Sequence, residues 1–436
     1  MKAEKPLKIL TLDGGGLQAI STLVILNKLL DTIAHHNGVS HKKPRPCEVF
    51  DTIAGIGAGG WLAILLGRFH MDIATCLSEW NRITHCITPR SKSEEIRMRA
   101  FQHCYFNPER LVEQIDSLTQ EYCTGEHLFD RERGTIRTRH VFVAALRSDA
   151  QDYSLFRTYR IPKTAKLPEK MREGPEKPET FKISSAFGVT GSAKYFSPPW
   201  KERMARSGKT TFNDNKYPKP HNITELALDE MWGIYGTDVP LSVIVNIGPG
   251  LPDKCDVYQI ARRFSWGLSP PDTPTISKHT KIPLQQLGNA INKRVSVTKG
   301  NDMSLPNNER PTIKFRRDEV QGSGPTSDLK KQAVARSNTF GSVYNRGVKE
   351  KLRRAESDIE RDIKRKLENV RPGNSALYYR LAPDQAPQGT AQNDSSSPGV
   401  TLAAADNYLS QPSVERSIDD IERRLSDSGV SGISAC

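Results

Sequence analysis

The sequence predicts an α/β fold with a mostly parallel central sheet, and three observations lead to it. Continuously apolar runs that are typical of buried strands lie at residues 8–12, 48–54, 140–146 and 241–247. Apolar residues at helical spacing follow the first two runs, beginning at Leu17 and Trp61. A glycine-rich turn separates strand from helix in both places. Buried strands that alternate with helices indicate a parallel sheet covered on both faces.

Composition and charge narrow the functional class only in part. The chain has 436 residues, a hydrophobic fraction of 36% and a formal net charge of +13. A basic protein is attracted both to anionic membrane surfaces and to nucleic acid. The sequence contains no motif that reads RNA or DNA, so we do not expect a nucleic acid partner. The ten histidines form no ligand pair at metal spacing, and we expect neither a metal nor a cofactor.

The cysteines and the N-terminus favour an intracellular protein. Seven scattered cysteines cannot form an even disulfide framework, so we expect reduced thiols. The short polar start of the chain does not resemble a signal peptide, and no apolar run approaches the roughly 18 residues of a membrane span. The expected location is the cytoplasm or, peripherally, an anionic membrane surface.

Composition divides the chain into four regions. Apolar residues concentrate in a predicted core domain over residues 7–260. Residues 269–345 are rich in proline, small polar and basic residues, and we expect a disordered insertion there. Residues 346–385 join a highly charged helical stretch to a β-like run that could add a late strand to the core sheet. Residues 386–436 are again low in complexity and are predicted to be a disordered tail.

The first glycine cluster, Gly14, Gly15 and Gly16, lies between a strand and a helix. Successive glycines can turn their N–H groups towards one point, and the helix adds its positive end. Such a loop suits a phosphate or a developing oxyanion. The dinucleotide fingerprint fails because Ala19 stands where its third glycine would be, and the P-loop pattern also fails. A plain glycine turn is the alternative.

The second cluster has the form of a nucleophile elbow without its nucleophile. Such an elbow is a sharp strand-to-helix turn written G-x-S-x-G, with a reactive serine at its apex. Here Gly55, Gly59 and Gly60 supply the flanking glycines, but the apex is Gly57. Glycine has no side chain that can attack a carbonyl. A turn that only lets strand and helix pack closely is the competing interpretation.

An ordered set of short blocks resembles the patatin-like phospholipase family, in particular its fungal members. In chain order the blocks are D-G-G-G-L from Asp13, F-D-T-I-A-G-I-G-A-G-G from Phe50, L-F-R-T-Y from Leu155, I-S-S-A-F from Ile183, F-N-D from Phe212, I-G-P-G from Ile247 and Y-Y-R-L from Tyr378. The resemblance covers roughly residues 7–260 and the late strand. It implies a three-layer αβα sandwich that hydrolyses a lipid or acyl ester.

The resemblance also implies a serine–aspartate dyad. In the family, a serine at the elbow attacks the ester, an aspartate in a later loop takes its proton, and the glycine loop stabilises the oxyanion. Carried over by position, the N–H groups of Gly14, Gly15 and Gly16 form the oxyanion hole and Asp214 is the general base. The nucleophile position is Gly57.

The departures from the family pattern fall in its catalytic parts. Besides Gly57, they are Asn215-Lys216 after the aspartate, Ile223 after Asn222, and Gln18-Ala19 after the glycine loop. We therefore expect a catalytically impaired homologue that binds lipid or acyl groups. An active hydrolase that uses water or another hydroxyl with Asp214 is one alternative. A protein-interaction module that acts through the C-terminal tail, with an unknown partner, is the other.

Overall fold

A six-stranded sheet forms the centre of the computed structural model, which describes residues 5–38, 43–98, 106–131, 136–148, 153–167, 177–193, 197–204, 208–213, 222–250, 350–383 and 398–427. These residues belong to one unit that joins Met1–Val257 to Val343–Cys436; a second unit, Tyr258–Ser342, lies outside the described residues. The predicted insertion over 269–345 also lies there and stays a prediction.

Eight strands are formed by the described residues. They are β1 (Leu7–Leu12), β2 (Thr52–Ile56), β3 (His140–Leu146), β4 (Tyr153–Arg157), β5 (Trp200–Met204), β6 (Gly208–Phe212), β7 (Leu241–Ile247) and β8 (Tyr378–Leu381). The central sheet has the order β4-β3-β2-β1-β7-β8, in which only β4 is antiparallel to its neighbour. Strands β5 and β6 form a separate antiparallel pair.

Helices cover both faces of the central sheet. In the described residues they are α1 (Ile20–His36), α2 (Pro46–Val49), α3 (Ala58–Gly67), α4 (Ile73–Ile87), α5 (Lys92–Arg97), α6 (Pro108–Tyr122), α7 (Ile183–Gly191), α8 (Thr224–Tyr235), α9 (350–370), α10 (Pro398–Leu409) and α11 (Pro412–Asp427). Short 3₁₀ turns precede α1 and β8, at Gly16–Ala19 and Asn374–Leu377.

Alternation along the strands divides the core into two layers. In β1, Leu10 and Leu12 join the larger cluster with α1, α3, α4, α6, α7 and α11, whereas Leu7 and Ile9 join the smaller cluster with α8 and α9. Successive strand side chains point to opposite faces, so a sheet buried on both sides needs the continuous apolar runs of the sequence. The predicted three-layer αβα sandwich is confirmed, and so is the late strand, because β8 pairs in parallel with β7.

One strand boundary differs from the sequence prediction. The run predicted as strand over residues 48–54 is strand only from Thr52, and Pro46–Val49 is a helical turn instead. Proline at the first helical position fits such a turn because its φ is already near the helical value. Glu48 adds a capping interaction, since its carboxylate accepts from the Arg45 N–H at 2.8 Å.

The prediction of a disordered tail over 386–436 is wrong for residues 398–427, which form α10 and α11. Val414, Ile418, Ile421 and Leu425 of α11 are buried in the larger core cluster. Their spacing of four, three and four residues places them on one helical stripe. This stripe outweighs the polar composition on which the prediction of disorder rested.

One helix in the described part of the chain, Gly16–His36, is long and apolar enough to cross a membrane. This corrects the expectation that no such segment exists. However, 72% of its apolar window is buried inside the protein. Helix α1 packs between the sheet and other helices. A buried core helix of an αβα sandwich can be as long and as apolar as a membrane span, so length and composition do not distinguish the two.

Candidate functional site

The two glycine clusters meet at the carboxyl edge of the sheet, where the parallel strands end. The glycine loop, Gly14–Gly16, follows β1, and the glycine turn, Gly55–Gly60, joins β2 to α3. Strands β1 and β7 are neighbours in the sheet, but the connection from β1 leads to β2 on one side and the connection from β7 leads to β8 on the other side. The strand order therefore reverses between β1 and β7. A crevice opens at such a reversal of strand order, and ligands bind there in open α/β sheets.

Gly57 has the backbone conformation of an elbow apex. Its φ is 59° and its ψ is −131°, between the last residue of β2 and the first residue of α3. Residues with a side chain adopt this region only under strain, as nucleophile elbows do. Among the described residues that are not its chain neighbours, a Cβ built on Gly57 would have one atom within 4 Å, the Cα of Gly14 at 3.4 Å. The described part of the chain thus leaves room at the apex for a side chain directly against the glycine loop.

The flanking glycines differ from Gly57 because the packing leaves no room for a Cβ. A Cβ on Gly55 would lie 2.1 Å from the carbonyl oxygen of Gly59, and a Cβ on Gly59 would lie 2.3 Å from that of Leu12. A Cβ on Gly60 would lie 2.5 Å from the Thr190 hydroxyl. Close packing therefore explains Gly55, Gly59 and Gly60 but does not explain the glycine at the apex.

Thr190 of α7 connects the glycine turn to β3, a role that the sequence pattern does not indicate. Its Oγ1 accepts from the Gly57 N–H at 3.1 Å and donates to the Ala144 carbonyl of β3 at 2.7 Å. The side chain is buried. Thr190 lies three residues after the I-S-S-A-F block that begins at Ile183. Nothing in the sequence indicates that its side chain, rather than that of a neighbouring residue, contacts the turn.

The glycine loop is shaped by close contacts with its neighbours. Gly16 has a φ of 60°, in the left-handed region that favours glycine. A Cβ on Gly15 would overlap the Pro249 side chain, 1.9 Å from its Cγ. A Cβ on Gly14 would lie 3.2 Å from the Ile56 carbonyl oxygen at the end of β2. The loop therefore touches both the glycine turn and the segment after β7.

Asp13 anchors the start of this loop in a buried polar network. Its Oδ2 accepts from Arg380 Nη1 at 2.6 Å, and its Oδ1 accepts from Asn246 Nδ2 at 2.9 Å and from the Ile223 N–H at 3.4 Å. Arg380 Nη2 also donates to Glu356 at 3.1 Å. Burial disfavours the charged guanidinium, but the carboxylates of Asp13 and Glu356 outweigh burial and raise the pKa of Arg380.

Uncharged groups extend the network under the ends of β1, β7 and β8. Asn222 Nδ2 donates to the Tyr378 hydroxyl at 2.9 Å and to Asn246 Oδ1 at 3.2 Å. The hydroxyls of Thr11 and Thr224 lie 2.8 Å apart. Burial raises the pKa of Tyr378 to about 12, so the phenol stays protonated at neutral pH. In the sequence, Asn222 stands out only as the residue before Ile223, where the chain departs from the family pattern.

The predicted base, Asp214, lies outside the described residues. Asn213, immediately before it, donates its N–H to the Leu146 carbonyl at the end of β3, at 3.1 Å. Asn222 resumes the described chain within the polar network. The described residues on either side of this segment, Asn213 and Asn222, therefore both lie near the carboxyl edge of the sheet.

The hydroxyls that could substitute for the missing serine are those of Thr52, Ser21, Ser184 and Ser185, and the last of these is half-buried in α7. Thr52 opens β2 and donates to the Met231 sulfur at 3.0 Å, at the opposite end of that strand from the turn. Ser21 donates to the Gln18 carbonyl at 2.9 Å. Ser184 is buried in α7. Among the described residues, no group of three or more His, Cys, Asp or Glu side chains could hold a metal ion.

No protein family model matches the chain. A 77-residue stretch is 38% identical to "Patatin-like phospholipase 1" of Plasmodium falciparum and covers 18% of this chain and 11% of that protein. Stretches of 70 residues are 37% and 36% identical to "Calcium-independent phospholipase A2-gamma" of Mus musculus and Oryctolagus cuniculus, covering 16% of this chain and 8% of each relative.

Part of the chain is homologous to patatin-like phospholipases. The matches support that family and, with the αβα sandwich, a lipid acyl hydrolase fold. The aligned region spans about a tenth of the length of the curated relatives or less.

Proposed function

We propose that this protein is a lipid- or acyl-binding homologue of patatin-like phospholipases whose serine–aspartate dyad has lost its serine. The observation that carries the proposal is the apex of the glycine turn. Gly57 keeps the positive φ of an elbow, has space for a side chain and faces the glycine loop, yet it has nothing with which to attack an ester.

The size of the loss supports impaired hydrolysis. Removing the nucleophilic serine of a serine protease lowers turnover about 10⁶-fold, and what remains comes from substrate binding and the oxyanion hole. That factor corresponds to about 8 kcal/mol of activation free energy. Thr190, which contacts the turn, and Ser21, which follows the glycine loop, both donate to backbone carbonyls and are buried. They are poorly placed to replace a serine at the apex.

In the proposed site, the N–H groups of Gly14, Gly15 and Gly16 bind the carbonyl or carboxylate oxygen of an acyl group. A glycine loop followed by a helix suits such an oxygen because its N–H groups and the helix dipole both favour negative charge. Asp214 is the proposed base, by its place in the block that begins at Phe212. The net charge of +13 favours contact with an anionic lipid surface as the source of the acyl group.

The test is to restore the serine. We expect wild-type protein to show no turnover of p-nitrophenyl acyl esters or phospholipid vesicles above that of Gly57→Ala. We expect Gly57→Ser to gain turnover and to be labelled by a fluorophosphonate probe, because the elbow conformation and the glycine loop are already in place. The matched control is Gly57→Ser combined with Asp214→Ala, in which turnover should fall again.

Two results would contradict the proposal. Wild-type turnover that Asp214→Ala abolishes would mean that the protein hydrolyses esters with water or another hydroxyl. Labelling of the wild-type protein by the fluorophosphonate probe would identify a competent serine elsewhere. An interaction module that acts through the predicted tail, residues 386–436, would instead lose its partner when the part beyond α11, residues 428–436, is removed, with no change in acyl binding.

A further inference from the structure

Arg380 reaches the start of the glycine loop although it lies 367 positions later in the chain. Its guanidinium pairs with Asp13, the residue immediately before Gly14, and with Glu356 of α9. Asp13 receives further hydrogen bonds from Asn246 and from the Ile223 N–H. The carboxylate is therefore held from three directions, by β8, by β7 and by the start of α8.

The loops above this ion pair are stacked so closely that a shift of the pair would be transmitted to the glycine loop. A Cβ on Gly248 would lie 3.2 Å from Asp13 Oδ2 and 3.4 Å from Arg380 Nη2, so the segment after β7 rests on the pair. The next residue, Pro249, packs against Gly15. Close-packed groups transmit displacement because no void absorbs it.

Charge gives Arg380 a second influence on the glycine loop. An unpaired carboxylate at Asp13 would repel an anionic oxygen bound one to three residues away, and the low dielectric of a buried site would strengthen that repulsion. The guanidinium at 2.6 Å compensates this negative charge. Arg380 is only 12% exposed, so bulk water does not screen the pair.

We propose that Arg380 is a positioning residue for the glycine loop. Through Asp13 it holds the backbone of Gly14–Gly16 in the conformation that binds an anionic oxygen, and it cancels the carboxylate charge beside that oxygen. The inference rests on the proposed function for the role of the loop. It adds that the site is complete only when the chain beyond residue 349 has docked.

Hydrogen exchange, compared between the wild-type chain and its variants, tests the inference and does not require an active enzyme. In Arg380→Met, we expect amides in a peptide spanning residues 10–20 to exchange about tenfold faster, since a charge-assisted hydrogen bond contributes at least that factor to local stability. Arg380→Lys keeps the charge and should restore part of the protection. The matched control is Arg110→Met, which removes another partly buried arginine from a single 2.7 Å pair with Glu94, outside this network.

Exchange in residues 10–20 that is unchanged in Arg380→Met, or equally faster in Arg110→Met, would overturn the inference. If Arg380→Met fails to fold, Glu356→Gln is the second variant. It removes the negative charge of one acceptor of the guanidinium, on a side chain that is 23% exposed, and we expect a smaller acceleration in the same peptide. No acceleration there would count against the inference in the same way.

Activity in the Gly57→Ser background separates positioning from general stability. Adding Arg380→Met should lower kcat about 100-fold with little change in KM, as displacement of a catalytic group does. Arg380→Lys should recover part of kcat. A loss that appears only in KM would contradict the positioning role. If the wild-type protein hydrolyses esters in a way that Asp214→Ala abolishes, the proposed function fails, whereas the exchange measurement still decides the role of Arg380.

Discussion

The two edges of the central sheet each contain a buried arginine, and the two are used differently. At the amino edge, where the parallel strands begin, Arg157 of β4 forms a bidentate ion pair with Glu230 of α8. Its Nε donates to Oε1 at 2.5 Å and its Nη2 donates to Oε2 at 2.7 Å. The Tyr159 hydroxyl donates to the same carboxylate at 2.6 Å. At the carboxyl edge, Arg380 divides its guanidinium between Asp13 and Glu356.

The difference lies in what each carboxylate is attached to. Glu230 is in the middle of a helix and is fully buried, so its pair joins a helix to a strand. Asp13 is the first residue of a loop at the edge where open α/β sheets bind ligands. Burial opposes the charge of both arginines, yet the carboxylates raise both pKa values. Similar electrostatics thus stabilises packing at one edge and orders a loop at the other.

The largest effect is expected at the amino edge. Arg157→Met leaves Glu230 charged and buried without its partner, and breaking one side of a buried pair costs about 3–5 kcal/mol. Urea unfolding should show this loss as a lower midpoint with an unchanged slope. The double variant Arg157→Met with Glu230→Leu should recover much of it, because no unpaired charge remains. Strict additivity of the two changes would contradict this account.

The sequence predicts the sheet better than it predicts these pairs. Continuous apolar runs and two glycine turns were sufficient for the parallel sheet and the αβα layers. Arg157 and Tyr159 were visible only as a family block, L-F-R-T-Y, whose partner Glu230 lies more than seventy residues away. The pairing of Asp13 with Arg380 depends on which strands become neighbours, and residue spacing along the chain does not contain that information.

Helix α11 and the apex of the glycine turn show two kinds of information that residue composition does not contain. Helix α11 was missed because its polar residues dominate the average, although Val414, Ile418, Ile421 and Leu425 carry a clear helical period. The glycines of the turn were recognised correctly as a cluster. Only the structure separates Gly59, which close packing requires, from Gly57, which has space beside it.

A second prediction compares Gly59 with Gly57 at the carboxyl edge. Gly59→Ala brings a Cβ within 2.3 Å of the Leu12 carbonyl oxygen, so the turn must move away from β1. Overpacking of this kind costs about 1–3 kcal/mol, and a clash with backbone belongs at the upper end. Gly57→Ala meets no such contact with the described residues, and we expect its positive φ to cost about 1 kcal/mol, the lower end of the range for strained backbone. Thermal unfolding of the two variants should therefore rank Gly59→Ala as the less stable, and the reverse order would contradict the packing geometry.

The third prediction uses a buried cation whose ammonium group has no carboxylate partner among the described residues. Lys8 of β1 is fully buried, and its Nζ donates to the Leu425 carbonyl near the end of α11. Burial, the largest cause, lowers the pKa of Lys8 from 10.5 to about 8; Arg137 and Lys5 add to the lowering, and Asp51 opposes it. Arg157 and Arg380, which have carboxylate partners, shift in the opposite direction.

This lowered pKa makes stability rise with pH in a defined window. Between about pH 8 and 10.5 the unfolded chain keeps the Lys8 proton while the folded chain releases it, so the free energy of unfolding gains about 3 kcal/mol across the window. Lys8→Met should remove that gain, and the difference between wild type and variant in urea unfolding isolates it from other titrating groups. The helical carbonyl at Leu425 favours a cation but does not replace a carboxylate. A wild-type minus Lys8→Met difference that is flat from pH 8 to 10.5 would mean that folding does not lower the pKa of Lys8, and would contradict this account.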